Sequence, residues 1–122
     1  IWITHDLGVV AGMADWVLVM YAGCPVEIAP VDMLYEHTSH PYTIGLLGAL
    51  PRLGQVSAKR LVSIEGTPPD LLEEPHHCQF AWRCPFAFDR CWHEIPQYRE
   101  IGPGHSITCF YDVAKEEPRY DV

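Results

Sequence analysis

Residues 16–30, WVLVMYAGCPVEIAP, decide the fold of the first part of the chain. Two apolar runs, WVLVMYAG and CPVEIAP, follow each other, and the residues AGCP where they meet form a short connection. Gly and Pro in such a connection are typical of a tight turn between paired strands. The stretch therefore predicts a β-hairpin built from two buried strands.

The residues before the hairpin predict a third strand and a short helix. IWITH (1–5) is apolar and β-branched, like a buried strand that ends at His5. DLGVVAGMAD (6–15) predicts a helix with Asp6 as its N-cap. A histidine at a strand end is usually structural, although ligands of open α/β sheets bind where strands end.

Two helices are predicted after the hairpin. Pro30 can occupy the first turn of a helix in VDMLYEH, because proline is tolerated there. TSHPYTIGLLGAL predicts a second helix with a Thr or Ser cap, Pro41 near its first position and Pro51 after its end. Ile44, Leu47 and Leu50 give this helix a one-sided apolar stripe.

The character of the chain changes at Arg52. RLVSIEGTPPDLLEEP (60–75) holds one short strand candidate and is otherwise too rich in proline for regular structure. IPQYREIGPGHS (95–106) predicts a loop, and AKEEPRYDV (114–122) a frayed tail. We therefore expect three regions: 1–29 with the hairpin, 30–51 with the helices, and 52–122 as a mostly irregular extension.

Composition restricts the class of protein. The 122 residues carry a net charge of −8, and the first 50 contain five acids but no Lys or Arg. This argues against nucleic-acid binding, whose affinity comes largely from neutralising phosphates. No apolar run approaches the ~20 residues that span a bilayer, and no basic segment precedes an apolar one as in a signal peptide. The start at Ile1, inside an expected strand, predicts a piece of a longer soluble protein.

Four cysteines are the clearest chemical signal in the extension. Cys78, Cys84, Cys91 and Cys109 have the spacing C-x5-C-x6-C-x17-C, and Cys24 lies apart in the hairpin turn. Buried free thiols have no reason to cluster beside arginines, and disulfides would suit a secreted chain. A metal site therefore competes with these structural interpretations.

The residues leave the kind of metal open. Zinc sites favour C-x2-C to C-x4-C pairs, which are narrower, and a nearby histidine could replace one thiolate. Iron–sulfur clusters also use four thiolates, and Cys84-Pro85 is like the Cys-Pro of bacterial ferredoxins. Arg83 and Arg90 could offset thiolate charge. Five rings could exclude water, namely Phe80, Trp82, Phe86, Phe88 and Trp92, and the candidate histidines are His76, His77, His93 and His105.

The order of motifs resembles one family along essentially the whole chain. ITHDLGVVAGMADWVLVMYAGCPVEIAP resembles the stretch around the switch histidine of ABC-transporter ATPase subunits. HTSHPYTIGLLGALPRL resembles the His-Pro-Tyr-Thr segment of the oligopeptide and dipeptide permease subgroup. GTPPDL and the cysteine segment up to GPGHSITC resemble the C-terminal extension of that subgroup.

The resemblance implies a fold and a set of site residues. The fold class would be α/β: the closing strands and helices of a RecA-like ABC ATPase domain, followed by the cysteine-bearing extension. His5 would be the switch histidine, which reaches the γ-phosphate of ATP and helps hold the attacking water. A neutral imidazole suits this task because one ring nitrogen donates and the other accepts. Cys78, Cys84, Cys91 and Cys109 would be ligands of a [4Fe–4S] cluster, with zinc as the alternative.

Several motifs of the family are not found in these 122 residues. No G-x-x-x-x-G-K-[ST] phosphate loop occurs, nor do the glutamine loop, the signature sequence or the acidic Walker B strand. We therefore expect a parent protein that binds ATP and Mg²⁺ and hydrolyses ATP, whereas this piece alone is not catalytic. The metal would fasten a tail too poor in regular structure to fold alone, or would sense redox state.

The resemblance also implies partners. The parent would lie peripherally on the cytoplasmic face of the membrane and pair with a second ATPase subunit. It would energise import of di- or oligopeptides, or of nickel, through two membrane-spanning permease subunits, with indirect help from an extracytoplasmic peptide-binding protein. The rival interpretation is a free-standing iron–sulfur or zinc-binding interaction module with no link to ATP.

Overall fold

A computed structural model describes residues 1–50 and 63–119. The helices are α1 (Leu7–Val10), α2 (Val31–Glu36) and α3 (Pro41–Gly48), and the strands are β1 (Trp16–Tyr21), β2 (Cys24–Pro30), β3 (Arg99–Gly102), β4 (His105–Ile107), β5 (Tyr111–Asp112) and β6 (Glu117–Pro118). Four strands form one antiparallel sheet in the order β1-β2-β4-β3, and β5 pairs with β6. This mixture of helices and a small sheet agrees with the expected α/β class.

The hairpin predicted from residues 16–30 is confirmed, with β1 and β2 paired from Trp16↔Pro30 to Tyr21↔Cys24. Ala22 and Gly23 have positive φ angles of 49° and 79°, which suits the turns whose twist matches that of paired strands. The expectation of a buried strand is only half right for β1. Its residues alternate, with Val17, Val19 and Tyr21 buried and Trp16, Leu18 and Met20 about half exposed.

The start of the chain differs from the prediction. Residues 1–5 are exposed and form no strand, because none of the described strands pairs with them. The Asp6 cap is confirmed, since its Oδ1 accepts hydrogen bonds from the Gly8 and Val9 amides at 2.9 and 3.2 Å. The helix itself ends at Val10, well before the predicted Asp15.

The two later helices begin in ways that the sequence indicated only in part. Pro30 precedes α2 as its N-cap residue, and Pro41 is the first residue of α3 as predicted. The cap of α3 is neither Thr38 nor Ser39 but His40, whose Nδ1 accepts a hydrogen bond from the Tyr42 amide at 3.1 Å. The predicted stripe of Ile44, Leu47 and Leu50 is only half buried, whereas Pro41 and Thr43 are buried.

The extension contains more regular structure than predicted. Residues 99–107 form the hairpin β3–β4 rather than a loop. This hairpin joins the sheet because β4 also pairs with β2 through Glu27↔Ile107 and Ile28↔Ser106. The tail is not frayed up to Arg119, whose guanidinium contacts the Asp112 carboxylate at 3.0 Å. The strand candidate in 60–75 lies partly outside the described residues, and its part from Ser63 onward forms no strand.

The main core joins the hairpin, α2 and the extension. Its buried members are Val17, Val19, Tyr21, Val26, Ala29, Leu34 and Phe80. Phe80 comes from the cysteine segment, and its ring lies 5.1 Å from that of Tyr21 and 5.4 Å from that of Tyr42. A smaller core of Ala81, Cys91 and Phe110 lies under the cysteines. Within 1–50 and 63–119, no helix has the length and apolar character needed to cross a bilayer.

Candidate functional site

His5 lies at the surface, directly before the Asp6 cap of α1. The Asp6 amide donates to the Thr4 hydroxyl at 3.1 Å, so the backbone on both sides of His5 has a defined turn. The imidazole is therefore open to solvent and is not sealed in the core.

The four clustered cysteines occupy three local structures. Cys78 and Cys84 flank a 3₁₀ turn (Ala81–Arg83), Cys91 lies in a second one (Asp89–Trp92), and Cys109 follows β4. Cys91 is buried, the other three are half buried, and none is in a disulfide. The Cys78 amide donates to the Cys91 carbonyl at 3.1 Å, which ties the two turns together.

The fold brings these four thiols into electrostatic range of one another. Cys109 interacts with the other three, and Cys84 also interacts with Cys78 and Cys91. Cys78 and Cys91 interact as well. Cys24 lies exposed in the hairpin turn, apart from this group.

Backbone amides point at three of the four sulfurs. The Tyr111 amide donates to the Cys109 sulfur at 3.4 Å, and the Phe80 and Phe86 amides donate to the sulfurs of Cys78 and Cys84. In each case the donor lies two residues after the cysteine. Such N–H groups stabilise sulfur-borne negative charge, as hydrogen bonds to ligand sulfurs do in iron–sulfur proteins.

Burial opposes ionisation of these thiols. It raises the pKa of Cys84 to about 11 and that of Cys109 to about 12, and it also raises the pKa of Cys78. The amide donors and the neighbouring thiols act on these values less strongly than burial does. The Cys78, Cys84 and Cys109 thiols are therefore protonated at neutral pH, and binding of a cation would have to displace their protons.

The four cysteine sulfurs are the type of ligand that binds zinc or an iron–sulfur cluster, but they do not surround a position for a single ion. Among residues 1–50 and 63–119, no three His, Cys, Asp or Glu side chains are positioned to hold a metal ion. The arginines proposed to offset charge have other contacts. The Arg83 guanidinium donates to the Ile64 and Glu65 carbonyls and to the Tyr21 hydroxyl, and Arg90 lies 4.3 Å over the Phe110 ring.

Only part of the predicted aromatic shield lies around the cysteines. Phe80 is buried, but Trp82 is 73% exposed and packs on the partly exposed Trp92 with ring centres 4.9 Å apart. Phe110 was missed by the sequence reasoning, although it is buried against Cys91. Its only sequence signal is its place directly after Cys109.

The histidines separate clearly by burial. His76 and His93 are exposed, whereas His105 is buried and its Nε2 lies 2.7 Å from Oε1 of the fully buried Glu27. Sequence reasoning named His105 as one of four candidate ligand histidines, and it missed Glu27 and His40. Both belong to the same buried polar cluster, and no local motif marks a buried carboxylate.

Comparisons with known proteins connect these features to one family. The family described as "Oligopeptide/dipeptide transporter, C-terminal region" matches residues 26–91. An oligopeptide transport ATP-binding protein of Mycobacterium tuberculosis is 49% identical over 107 residues, which cover 88% of this chain and 18% of that protein. A Haemophilus influenzae protein of the same name is 44% identical over 115 residues, 94% of this chain and 35% of the relative.

A dipeptide transport ATP-binding protein of Lactococcus lactis is 50% identical over 105 residues, which cover 86% of this chain and 30% of that relative. The chain thus spans about a third or less of the length of these curated relatives.

Proposed function

The chain belongs to the oligopeptide/dipeptide transporter C-terminal family, and from this premise we propose that it is part of the ATP-binding subunit of an ABC-type peptide importer. The observation that carries the proposal is its similarity, over 86 to 94% of its length, to ATP-binding proteins of oligopeptide and dipeptide transport. Residues 1–29 would then close a RecA-like nucleotide-binding domain, and residues beyond these 122 would supply the ATP and Mg²⁺ site.

His5 would be the residue of this chain that takes part in ATP hydrolysis. Its exposure before a capped helix supports this role, because a switch histidine must reach a phosphate outside its own segment. A neutral imidazole can donate to a γ-phosphate oxygen from one nitrogen and keep the other for orientation. Phosphoryl transfer depends mainly on positioning and charge stabilisation, so one such donor has a large effect on rate.

Replacing His5 by Ala in the full-length subunit tests this role. We expect ATP hydrolysis and peptide uptake to fall by about tenfold or more, with nucleotide binding retained, because the donor acts in the transition state. His93→Ala, at another exposed histidine, is the matched control and should behave as wild type. Unchanged hydrolysis in His5→Ala would contradict the assignment.

The proposed setting is the cytoplasmic face of a membrane. The subunit would pair with a second ATP-binding subunit and act on two membrane-spanning permease subunits, with an extracytoplasmic peptide-binding protein as an indirect partner. Substrate choice belongs to those proteins, so nickel stays an alternative to di- and oligopeptides. The net charge of −8 argues against nucleic acid as a partner.

We further propose that Cys78, Cys84, Cys91 and Cys109 hold a [4Fe–4S] cluster, with zinc as the alternative. Four mutually interacting thiols with backbone N–H donors on three sulfurs support a cluster site. A four-iron cluster is larger than one ion, so its four ligands can come from a looser loop than those of a single metal. Bound there, it would join the two 3₁₀ turns to β4, and we assign it a stabilising role ahead of a redox role.

Anaerobic purification of the full-length protein tests the cluster. We expect iron with broad absorbance around 400 nm, and its loss in Cys84→Ser, because that variant lacks one ligand. Cys24→Ser, at the separate exposed thiol, should keep the absorbance. Stoichiometric zinc in a colourless protein would show that the site binds zinc rather than a cluster. A metal-free protein that still melts cooperatively would contradict both the cluster and the zinc site.

A further inference from the structure

A buried acid–imidazole cluster joins β2, the start of α3 and β4. Glu27 is 0% exposed, and both of its carboxylate oxygens accept hydrogen bonds. Oε1 lies 2.7 Å from Nε2 of His105 and 2.8 Å from the amide of Ser39, and Oε2 accepts from the amide of His40 at 3.1 Å. A buried carboxylate with several donors is stable where it is, but loss of one donor leaves it under-satisfied.

The same cluster reaches the residue before Cys109. The Thr108 amide donates to the Val26 carbonyl at 3.0 Å, and its hydroxyl donates to the Pro25 carbonyl at 3.0 Å. Its carbonyl accepts a hydrogen bond from the His40 ring. All three polar groups of Thr108 are therefore bound to residues of the β1–β2 hairpin or to the cap residue of α3.

The backbone ladder that supports this junction is short. β4 pairs with β2 at only two positions, Glu27↔Ile107 and Ile28↔Ser106. Glu27 is one of the paired residues of β2, His105 lies in β4 directly before the paired Ser106, and both side chains are buried. The contact between them therefore adds a buried side-chain bond between β2 and β4 to this two-position ladder.

We propose that Glu27 and His105 are positioning residues that fasten the Thr108–Cys109 segment to β2 and so hold the Cys109 thiol near Cys78, Cys84 and Cys91. We call this pair the Glu27–His105 latch. The inference rests on the proposed function only for the role of Cys109 as a ligand, since the contacts of the latch do not depend on it. Binding and docking are linked, so a closed latch raises the affinity of the four-cysteine site, and an occupied site stabilises the latch by the same factor.

The rate at which each thiol is labelled tests the latch in the metal-free, full-length protein. Burial slows the reaction of a thiol and local opening speeds it, so peptide mass spectrometry after timed alkylation reports how accessible each cysteine is. In His105→Ala we expect the labelling rate of Cys109 to rise about tenfold. Cys24 is exposed and should not change, which makes it an internal control.

Two further variants separate positioning from general loss of stability. His105→Gln keeps an N–H donor and should return the Cys109 rate to within about twofold of wild type. His37→Gln changes an exposed histidine outside the cysteine segment and should leave all five rates unchanged. An unchanged Cys109 rate in His105→Ala would overturn the latch, and so would an equal rise at Cys78, Cys84, Cys91 and Cys109, because that pattern is general unfolding.

Iron loading distinguishes failure of the latch from failure of the cluster. If wild type binds neither iron nor zinc, the proposed cluster is wrong, and the Cys109 labelling still decides the latch. If wild type loads and the latch is right, His105→Ala should load at least about tenfold more weakly, because docking and binding are linked. If wild type and His105→Ala load iron equally and label Cys109 at equal rates, Glu27 and His105 do not position the Cys109 thiol.

Discussion

At the scale of single residues, His40 combines a helix cap with a buried neutral imidazole. It is 2% exposed, its Nδ1 accepts from the Tyr42 amide, and its ring donates to the Thr108 carbonyl. Burial lowers the pKa of His40 from 6.5 to about 4, and the bond to Thr108 opposes this only in part. The sequence indicated Thr38 or Ser39 as the cap because these are common cap residues. The burial of His40 depends on strands far away in the chain.

The lowered pKa of His40 predicts acid destabilisation. Between pH 6.5 and about 4 the unfolded chain binds a proton at this position that the folded chain excludes. The part of the free energy of unfolding that depends on a neutral His40 is therefore fully present above pH 6.5. It is lost as the pH falls toward 4, and the loss is at most about 3 kcal/mol. Urea melts across this range should show the loss in wild type and a smaller one in His40→Asn. An equal loss in both proteins would show that His40 is not responsible.

Ala22 is a second residue whose backbone carries a testable cost. Its φ of 49° lies in the left-handed region, which L-residues with a Cβ occupy at a cost of about 1 kcal/mol. Ala22→Gly should therefore stabilise the protein, by up to about 1 kcal/mol in urea melts. The control Ala11→Gly, at a right-handed φ of −55°, should destabilise it instead. Destabilisation by both changes would argue against strain at Ala22.

At the scale of elements, the two hairpins of the sheet differ in how far the sequence predicts them. β1–β2 was predicted because two apolar runs and the Gly and Pro between them are local signals. β3–β4 was predicted as a loop because its strands are short and polar, and β4 finds its partner in β2, far away in the chain. The helix caps differ in the same way. The Asp6 side chain accepts hydrogen bonds from the Gly8 and Val9 amides, which is a local pattern, whereas His40 acts as a cap in a buried position that depends on distant residues.

Gly104, in the turn of β3–β4, should not tolerate a side chain. Its φ is +69°, and a Cβ there would lie 2.8 Å from the Trp16 ring on β1. Gly104→Ala should cost about 1–3 kcal/mol, since a strained backbone and a clash with the ring act together. Gly102→Ala has no atom within 4 Å of the added Cβ and serves as the control with little expected effect. Thermal melts of the two variants compare them, and equal melting temperatures would contradict the contact.

At the scale of the whole molecule, contacts cross the boundaries drawn from composition. The division into 1–29, 30–51 and 52–122 stays a prediction, but Phe80 enters the core of the hairpin and His105 contacts Glu27. Arg83 donates to the Tyr21 hydroxyl at 3.3 Å. The family was predicted from the resemblance of several sequence motifs, and the four thiols were singled out by their local spacing. The sequence did not predict these contacts, because each pairs residues that are distant in the chain.

Hydrogen exchange tests whether the described parts open together. The Thr108 amide, bonded to Val26, should exchange with an opening free energy within about 1 kcal/mol of that of the β1–β2 amides. We expect this because the extension shares the core of the hairpin. Exchange at Thr108 that is several kcal/mol easier than in β1–β2 would indicate that the extension opens independently.

The pairing of β2 with β4 has a consequence during synthesis. Ile107 lies 80 residues after Glu27, its partner. At about 5–20 residues per second a ribosome needs ~4–16 s to make the intervening chain. For that time one edge of β2 is open to other strands, and an unpaired edge invites aggregation. We therefore expect nascent chains that stall before residue 107 to aggregate more readily than complete chains.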